Sequence, residues 1–233
     1  MSTRDVLVVV PTYNERENLD ELVTGIRTQA PSADILIVDD GSPDGTAEAA
    51  AAFGAGINVL RRGQRLGIGS AYRDGFRLGL GRGYRRFITM DADLSHDPRH
   101  LPALIAASED SDFVVGSRYL HGVSVVNWSL QRLTLSVAAN AYARTITALP
   151  VRDCTSGFQC IRRSVLEAID PARLQLTGYA FLVELKYRAF RRNFSLGEVP
   201  IIFVDRRYGS SKLGTRHVLR SMWAMWALRF GRD

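Results

Sequence analysis

The chain has 233 residues, 46% of them hydrophobic and 23% charged. That fits one folded α/β domain and excludes a disordered, collagenous or disulfide-stapled protein. Lys+Arg 30 against Asp+Glu 24 gives a net charge of +6, pointing to an anionic partner such as a phosphorylated metabolite or an anionic lipid. Nucleic acid is excluded as that partner, because no recognition motif or aromatic-basic platform accompanies the charge.

Lys186 and Lys212 are the only lysines, so the positive charge is nearly all guanidinium, which suits bidentate grip on phosphate and is equally what codon bias produces. Cys154 and Cys160 form neither a disulfide framework nor a metal spacing and read as inert thiols of a reducing compartment. The apolar run Val6 to Val10 ends at Pro11, too short for a signal peptide, and no stretch reaches the roughly 18 apolar residues of a membrane span. A cytoplasmic location is expected.

In chain order, Val6 to Val10 reads as a β-branched strand. Leu19, Leu22, Val23 and Ile26 then recur at helical spacing, with Asn14 and Glu17 placed as a capping box and Pro31 closing the helix. Ile35 to Val38 predicts a buried strand, Asp39 to Gly45 a turn cluster, and Thr46 to Phe53 an Ala-rich helix. Strand Ile57 to Leu60, a helix from about Ser70 to Leu80, strand Arg86 to Met90, a helix near His100 to Ala107 and strand Phe113 to Gly116 follow. Alternation of this kind implies a mostly parallel central sheet with helices on both faces. After Arg118, Val123 to Leu149 reads as mostly helical. Phe158 to Ile161 and Ile201 to Val204 offer strands separated by helices, and His217 to Phe230 reads as a terminal helix.

Ligands of open α/β sheets bind beyond the carboxyl ends of the strands. Those ends carry Pro11-Thr12-Tyr13-Asn14-Glu15, Asp39-Asp40-Gly41-Ser42, Asp91-Ala92-Asp93 and Gly116-Ser117-Arg118. Two carboxylates two residues apart after a strand suit a hard cation shared with phosphate oxygens, Mg²⁺ or Mn²⁺; a solvated turn, with Asp93 or Ser95 capping the next helix, is the plainer alternative. Gly67-Ile68-Gly69 and Gly79-Leu80-Gly81-Arg82-Gly83 do not complete a dinucleotide fingerprint and read as turn and close-packing glycines. Arg132 and Ser136, four apart on one helix face, are placed to hold a phosphate, or are simply a solvated face.

Taken in order, Val38-Asp39-Asp40-Gly-Ser-Pro-Asp-Gly-Thr, Met90-Asp91-Ala-Asp93-Leu-Ser-His, Gly116-Ser-Arg118-Tyr, Asp153-Cys-Thr-Ser-Gly157-Phe158 and Phe203-Val-Asp-Arg206-Arg-Tyr-Gly209-Ser-Ser-Lys212-Leu, after Pro11-Thr-Tyr13-Asn-Glu15, resemble the inverting family 2 glycosyltransferases. More narrowly they resemble the dolichol-phosphate (polyprenyl-phosphate) mannose synthases. The likeness runs over residues 5 to 215. It implies a GT-A, Rossmann-like nucleotide-sugar-binding fold, a GDP-mannose donor, a polyprenyl-phosphate acceptor and Mg²⁺ or Mn²⁺ as cofactor.

By the same resemblance, Pro11, Tyr13, Glu15, Val38 and Asp40 hold the guanosine end, and Asp91, Ala92 and Asp93 line the metal and diphosphate. Ser95 stands where some relatives carry a further metal contact. Arg118, Arg206 and Lys212 supply charge to the diphosphate and incoming phosphate, and Arg132 with Ser136 holds the acceptor phosphate. Asp93, Arg118 and Arg132 are the expected catalytic residues. Gly209 to Lys212 reads as a flap over the donor, or as an ordinary basic surface loop. A polyprenyl-phosphate glucosyltransferase using a UDP-sugar, and a noncatalytic nucleotide-sugar-binding subunit of a membrane complex, are the competing readings.

Residues 1–215 are expected to form the catalytic domain and 216–233 an amphipathic interface helix. Leu219, Met222, Trp223, Trp226 and Phe230 form its apolar stripe, with Arg216, Arg220, Arg229 and Arg232 around it. At about 1.5 Å per residue it reaches only about 21 Å, short of a roughly 30 Å hydrocarbon core. The expected location is therefore peripheral, on the cytoplasmic membrane face, with an integral-membrane protein as a further expected partner; core packing is the alternative for this helix.

Overall fold

The structure is a computed structural model that describes residues 5–205 and 215–230. Its elements alternate as the apolar runs dictate. They are β1 (Val6–Thr12), α1 (Leu19–Gln29), β2 (Asp34–Asp39), α2 (Thr46–Ala52), β3 (Ile57–Arg61), α3 (Ile68–Gly81), β4 (Arg86–Thr89), α4 (Leu101–Ala107) and β5 (Phe113–Ser117). The second half adds β6 (Val125–Val126), α5 (Leu130–Thr147), β7 (Gln159–Arg162), α6 (Arg163–Ile169), α7 (Tyr179–Arg191), β8 (Leu196–Pro200), β9 (Phe203–Val204) and α8 (Thr215–Phe230).

A seven-stranded sheet runs β3-β2-β1-β4-β7-β5-β8. The β7 strand is antiparallel to both its neighbours, β4 and β5, while the remaining pairs are parallel. Strand alternation divides the core in two. Leu7 and Val9 face α3, α5, α6, α7 and α8 on one side, and Val6, Val8 and Val10 face α1, α2 and α4 on the other. Glycine lets α3 lie close to the sheet: a Cβ at Gly75 would stand 2.5 Å from Val9 Cγ1, and one at Gly79 2.3 Å from Phe87 Cε1. Both cysteines are buried, and burial pushes each thiol up to about 12.

The expectations need four corrections. The segment from Val123 is not helical at its start, because β6 pairs in parallel with β9 as a small second sheet. Strand β8 was not expected: Gly197, Glu198 and a terminal Pro200 mask it, yet it pairs with β5 throughout. The predicted strand Ile201 to Val204 is only β9, Phe203–Val204. The capping box does not form either. Asn14 sits at φ 59, its N–H is given to Ser42, and α1 starts at Leu19.

Candidate active site

The loops after β1 and β2 are tied to each other. Thr12 Oγ1 donates to Asp39 Oδ1 at 3.0 Å, and the N–H groups of Gly41 and Ser42 donate to Asp39 Oδ2 at 3.1 and 2.9 Å. Glu15 N–H donates to Thr46 Oγ1 and Arg16 N–H to Asp44 Oδ2. Burial pulls Asp44 upward, but donation by Thr46 and Arg16 holds its carboxyl below the ordinary value. Asp40 is buried and accepts from Leu66 and Gly67 N–H at 3.2 and 2.9 Å, with Arg62 Nε 3.1 Å from its other oxygen. Its carboxylate thereby shapes the 62–67 loop, and Arg65 of that loop lies over the Tyr13 ring at 4.3 Å. Glu15 accepts from Asn18 and Pro11 is half-buried. The side chain of Val38 belongs to the core, leaving its backbone for any ligand.

Beyond β4 the chain places Asp91 and Asp93 over the buried Tyr72. Burial, then the negative charge of Asp91, then that of Asp93, hold the Tyr72 hydroxyl well above its ordinary value, so it stays protonated. Ser95 donates to Asp93 Oδ1 through both N–H and Oγ, at 3.1 and 2.5 Å, which orients the Asp93 carboxylate. Asp91 N–H donates to His96 Nδ1 at 3.0 Å. The His96 ring stacks on Phe158 and meets Phe203 edge-on. Among the described residues no group of three His, Cys, Asp or Glu is placed to cage a metal ion. The donors on offer are hard carboxylates at Asp91 and Asp93, with Ala92 buried between them.

Arginines form the second pole. Arg118 is buried and forks onto Asp153 (Nε to Oδ2 2.7 Å, Nη2 to Oδ1 2.8 Å), with Nη2 also donating to Thr155 Oγ1. Burial would raise Asp153, but Arg118 outweighs it and the carboxyl lies below its ordinary value. Lys186, fully buried, donates to the Ser156 and Leu182 carbonyls; burial pushes it down to about 8, opposed by Asp153. The guanidiniums of Arg118 and Arg132 both face the Trp128 ring, at 5.8 and 4.3 Å from its centroid. Arg132 pairs with Asp205 at 2.5 Å, and Ser136 shares a hydrogen bond with the Tyr119 hydroxyl. Trp128 meets Phe203 edge-on at 5.4 Å, so an aromatic series, Trp128, Phe203 and His96, joins the arginine pole to the carboxylate pole.

The structure brings together Asp91 with Asp93 and Ser95, and Arg118 with Arg132 around Trp128. Tyr13 and Asp40 meet through the 62–67 loop. Arg206 and Lys212 lie outside the described residues. Tyr72, Arg65, His96, Trp128, Asp153 and Asp205 were not singled out from the sequence. Of these, His96, Asp153 and Asp205 lay inside quoted motifs, and for the two aspartates the guanidiniums they neutralise were the available signal.

A mostly parallel sheet with polar loops and an Asp-x-Asp turn at its carboxyl edge is the layout of a GT-A glycosyltransferase. The chain belongs to the family described as "Glycosyl transferase family 2", whose profile matches residues 7–170, and it is a glycosyltransferase. It is 42% identical to the polyprenol monophosphomannose synthase of Mycolicibacterium smegmatis, over 97% of this chain and 88% of that protein. It is also 42% identical to the undecaprenyl-phosphate mannosyltransferase of Micrococcus luteus, over 89% and 87% respectively. Among solved structures, glucosyl-3-phosphoglycerate synthase from Mycobacterium tuberculosis, in complex with Mn²⁺, UDP and glucosyl-3-phosphoglycerate, superposes with a TM-score of 0.72. That match has 20% identity and covers 99% of this chain and 81% of the other. The same enzyme with Mg²⁺ and UDP also superposes with a TM-score of 0.72. At this identity the likeness establishes the fold.

Proposed function

We propose that the chain transfers mannose from GDP-mannose to a polyprenyl phosphate with inversion, giving polyprenyl-phosphate mannose. The observation that carries this reading is the two-pole site, a carboxylate pair at Asp91 and Asp93 joined through Phe203 to two arginines on Trp128. The names of the 42% identical relatives support the acceptor and the sugar.

The donor set suits Mg²⁺ or Mn²⁺, since one or two carboxylates commonly share such an ion with substrate phosphates and water. Asp91 and Asp93 would hold it, with Ser95 fixing Asp93 and lying within reach as a further oxygen. When bound, the ion supplies neutralisation of the departing diphosphate. Tyr13, Glu15, Pro11, Asp40 and the Val38 backbone are the proposed nucleoside side. Arg206 and Lys212, by family resemblance, add charge at the diphosphate.

One phosphate oxygen of the lipid attacks the anomeric carbon as the bond from that carbon to the GDP oxygen breaks, and the configuration inverts. A phosphate monoester has its second pKa near 6, so at neutral pH it is largely a dianion and needs little help from a general base. This agrees with a site in which the His96 ring accepts from the Asp91 N–H and stacks on Phe158. Arg132 and Ser136 hold that phosphate, while Arg118, fixed by Asp153, adds a stationary positive charge.

The site is proposed to work at the cytoplasmic face of a membrane, where the polyprenyl tail stays in the bilayer. An integral-membrane partner protein is the further proposed ligand of the whole chain. Arg132→Ala tests the assignment. Loss of a charge-assisted contact worth about 2 kcal/mol should raise the acceptor KM roughly thirtyfold, with the donor KM unmoved. A rise in the donor KM alone would assign α5 to the other substrate.

A further inference from the structure

Arg132 already has an anion. Its Nη1 lies 2.5 Å from Asp205 Oδ1, with the two side chains 30% and 27% exposed. The carboxylate is the fixed member of the pair: Asp205 N–H donates to the Val126 carbonyl, and Phe203 N–H to that of Ser124. Further back, Ile202 N–H donates to His100 Nε2. Arg132 is the adjustable member, a long side chain on the first turns of α5 whose guanidinium rests on the flat Trp128 ring.

We infer that Asp205 is an internal competitor of the acceptor phosphate for Arg132, and that it gives up acceptor affinity in exchange for release of the transferred product. The inference rests on the proposed placing of the acceptor at Arg132. An incoming group gains from Arg132 only what it offers beyond the carboxylate it displaces. A monoester dianion brings two charges and three strong acceptor oxygens. A monoanion brings about what Asp205 already provides.

Transfer itself changes that balance. The acceptor enters as a monoester dianion and leaves as a mannosyl phosphodiester, which carries one negative charge because a phosphate oxygen is now bonded to the anomeric carbon. The displaced diphosphate takes away the other charge. Asp205 then competes on even terms and reclaims Arg132, so the residue that opposes the acceptor on entry assists release of the product.

The test measures acceptor KM, and inhibition constants for a short-chain monoalkyl phosphate and a dialkyl phosphate, in wild type, Asp205→Asn, Arg132→Ala and the double variant. Asp205→Asn should lower the acceptor KM about three- to fivefold, the scale of a part-exposed ion pair. It should tighten both the monoalkyl phosphate and the dialkyl phosphate, the latter a mimic of the product, because a competitor weakens every anion that must displace it, and the double variant should show neither gain. Asp205→Ala, run alongside, gives the same readings without an amide that could hold Arg132. If the Asp205 variants instead raise the acceptor KM, or leave both inhibition constants unchanged while Arg132→Ala still raises that KM, Asp205 is only a positioner of Arg132. In that case competition is overturned and the proposed function stands. If Arg132→Ala leaves the acceptor KM unchanged, the placing of the acceptor fails and the inference falls with it.

Discussion

Asp153 has no exposed surface and yet keeps its charge, because the Arg118 fork, Arg118 N–H, Thr155 and Ser156 all donate to it. Removing one partner of such a pair strands the other, so Asp153→Asn should cost about 3 to 5 kcal/mol in urea unfolding at pH 7. Its pKa in the folded protein lies below the ordinary 3.8. The stability it contributes is therefore complete above that value and is lost as pH falls through the lower folded value. The gap between wild type and Asp153→Asn should narrow in unfolding measured at pH 3; an unchanged gap would mean that the acid limb belongs to other carboxylates. Asp93 is different: half-exposed and outside both cores, it should tolerate Asp93→Ala in the fold while transfer falls at least about a hundredfold. Full activity of that variant without divalent metal would remove the metal assignment. Asp91, Asp93 and Arg132 were legible in the sequence because their spacing is local. Trp128 and Asp205 were not, since each acquires meaning only when β6 and β9 meet.

Among the elements, α3 shows how far a sequence pattern reaches. Of the glycines that fail the nucleotide fingerprint, Gly69 and Gly79 are close-packed and Gly67 and Gly83 take positive φ; Gly79, together with Gly75, lets the helix rest on Val9, Leu7 and Phe87. Gly79→Ala forces a methyl into a filled space and should destabilise by about 1 to 3 kcal/mol in urea unfolding, despite alanine's better helix propensity. A neutral or stabilising result would show that Phe87 yields. Strand β8 was illegible for the opposite reason. Its half-buried sequence Leu196–Pro200 carries Gly and Glu where an apolar run was sought. Glu198 is there to accept from the Arg152 and Asp153 N–H groups, a tertiary duty that no local periodicity announces.

At the scale of the molecule, α8 packs on α5 and α7 and contributes Met225 to the core, while Trp223, Trp226 and Phe230 are 78%, 46% and 67% exposed. Among the described residues no helix is long and apolar enough to cross a membrane. We propose that this outward face, which includes the described part of the expected stripe, rests in the interface. Because Met225 is buried, a chain ended at Thr215 would lose core as well as surface, so the cleaner variant is Trp223→Ser with Trp226→Ser and Phe230→Ser. It should float less with anionic liposomes while still turning over a short-chain acceptor; undiminished flotation would leave those side chains without a membrane role.

One assay tests the proposed reaction most directly. Purified protein with Mg²⁺ or Mn²⁺ and a short polyprenyl phosphate is offered a panel of labelled GDP- and UDP-sugars. Label should enter the lipid from GDP-mannose, and omission of the metal should abolish it. Transfer of glucose from UDP-glucose in preference, or no lipid product from any donor, would contradict it.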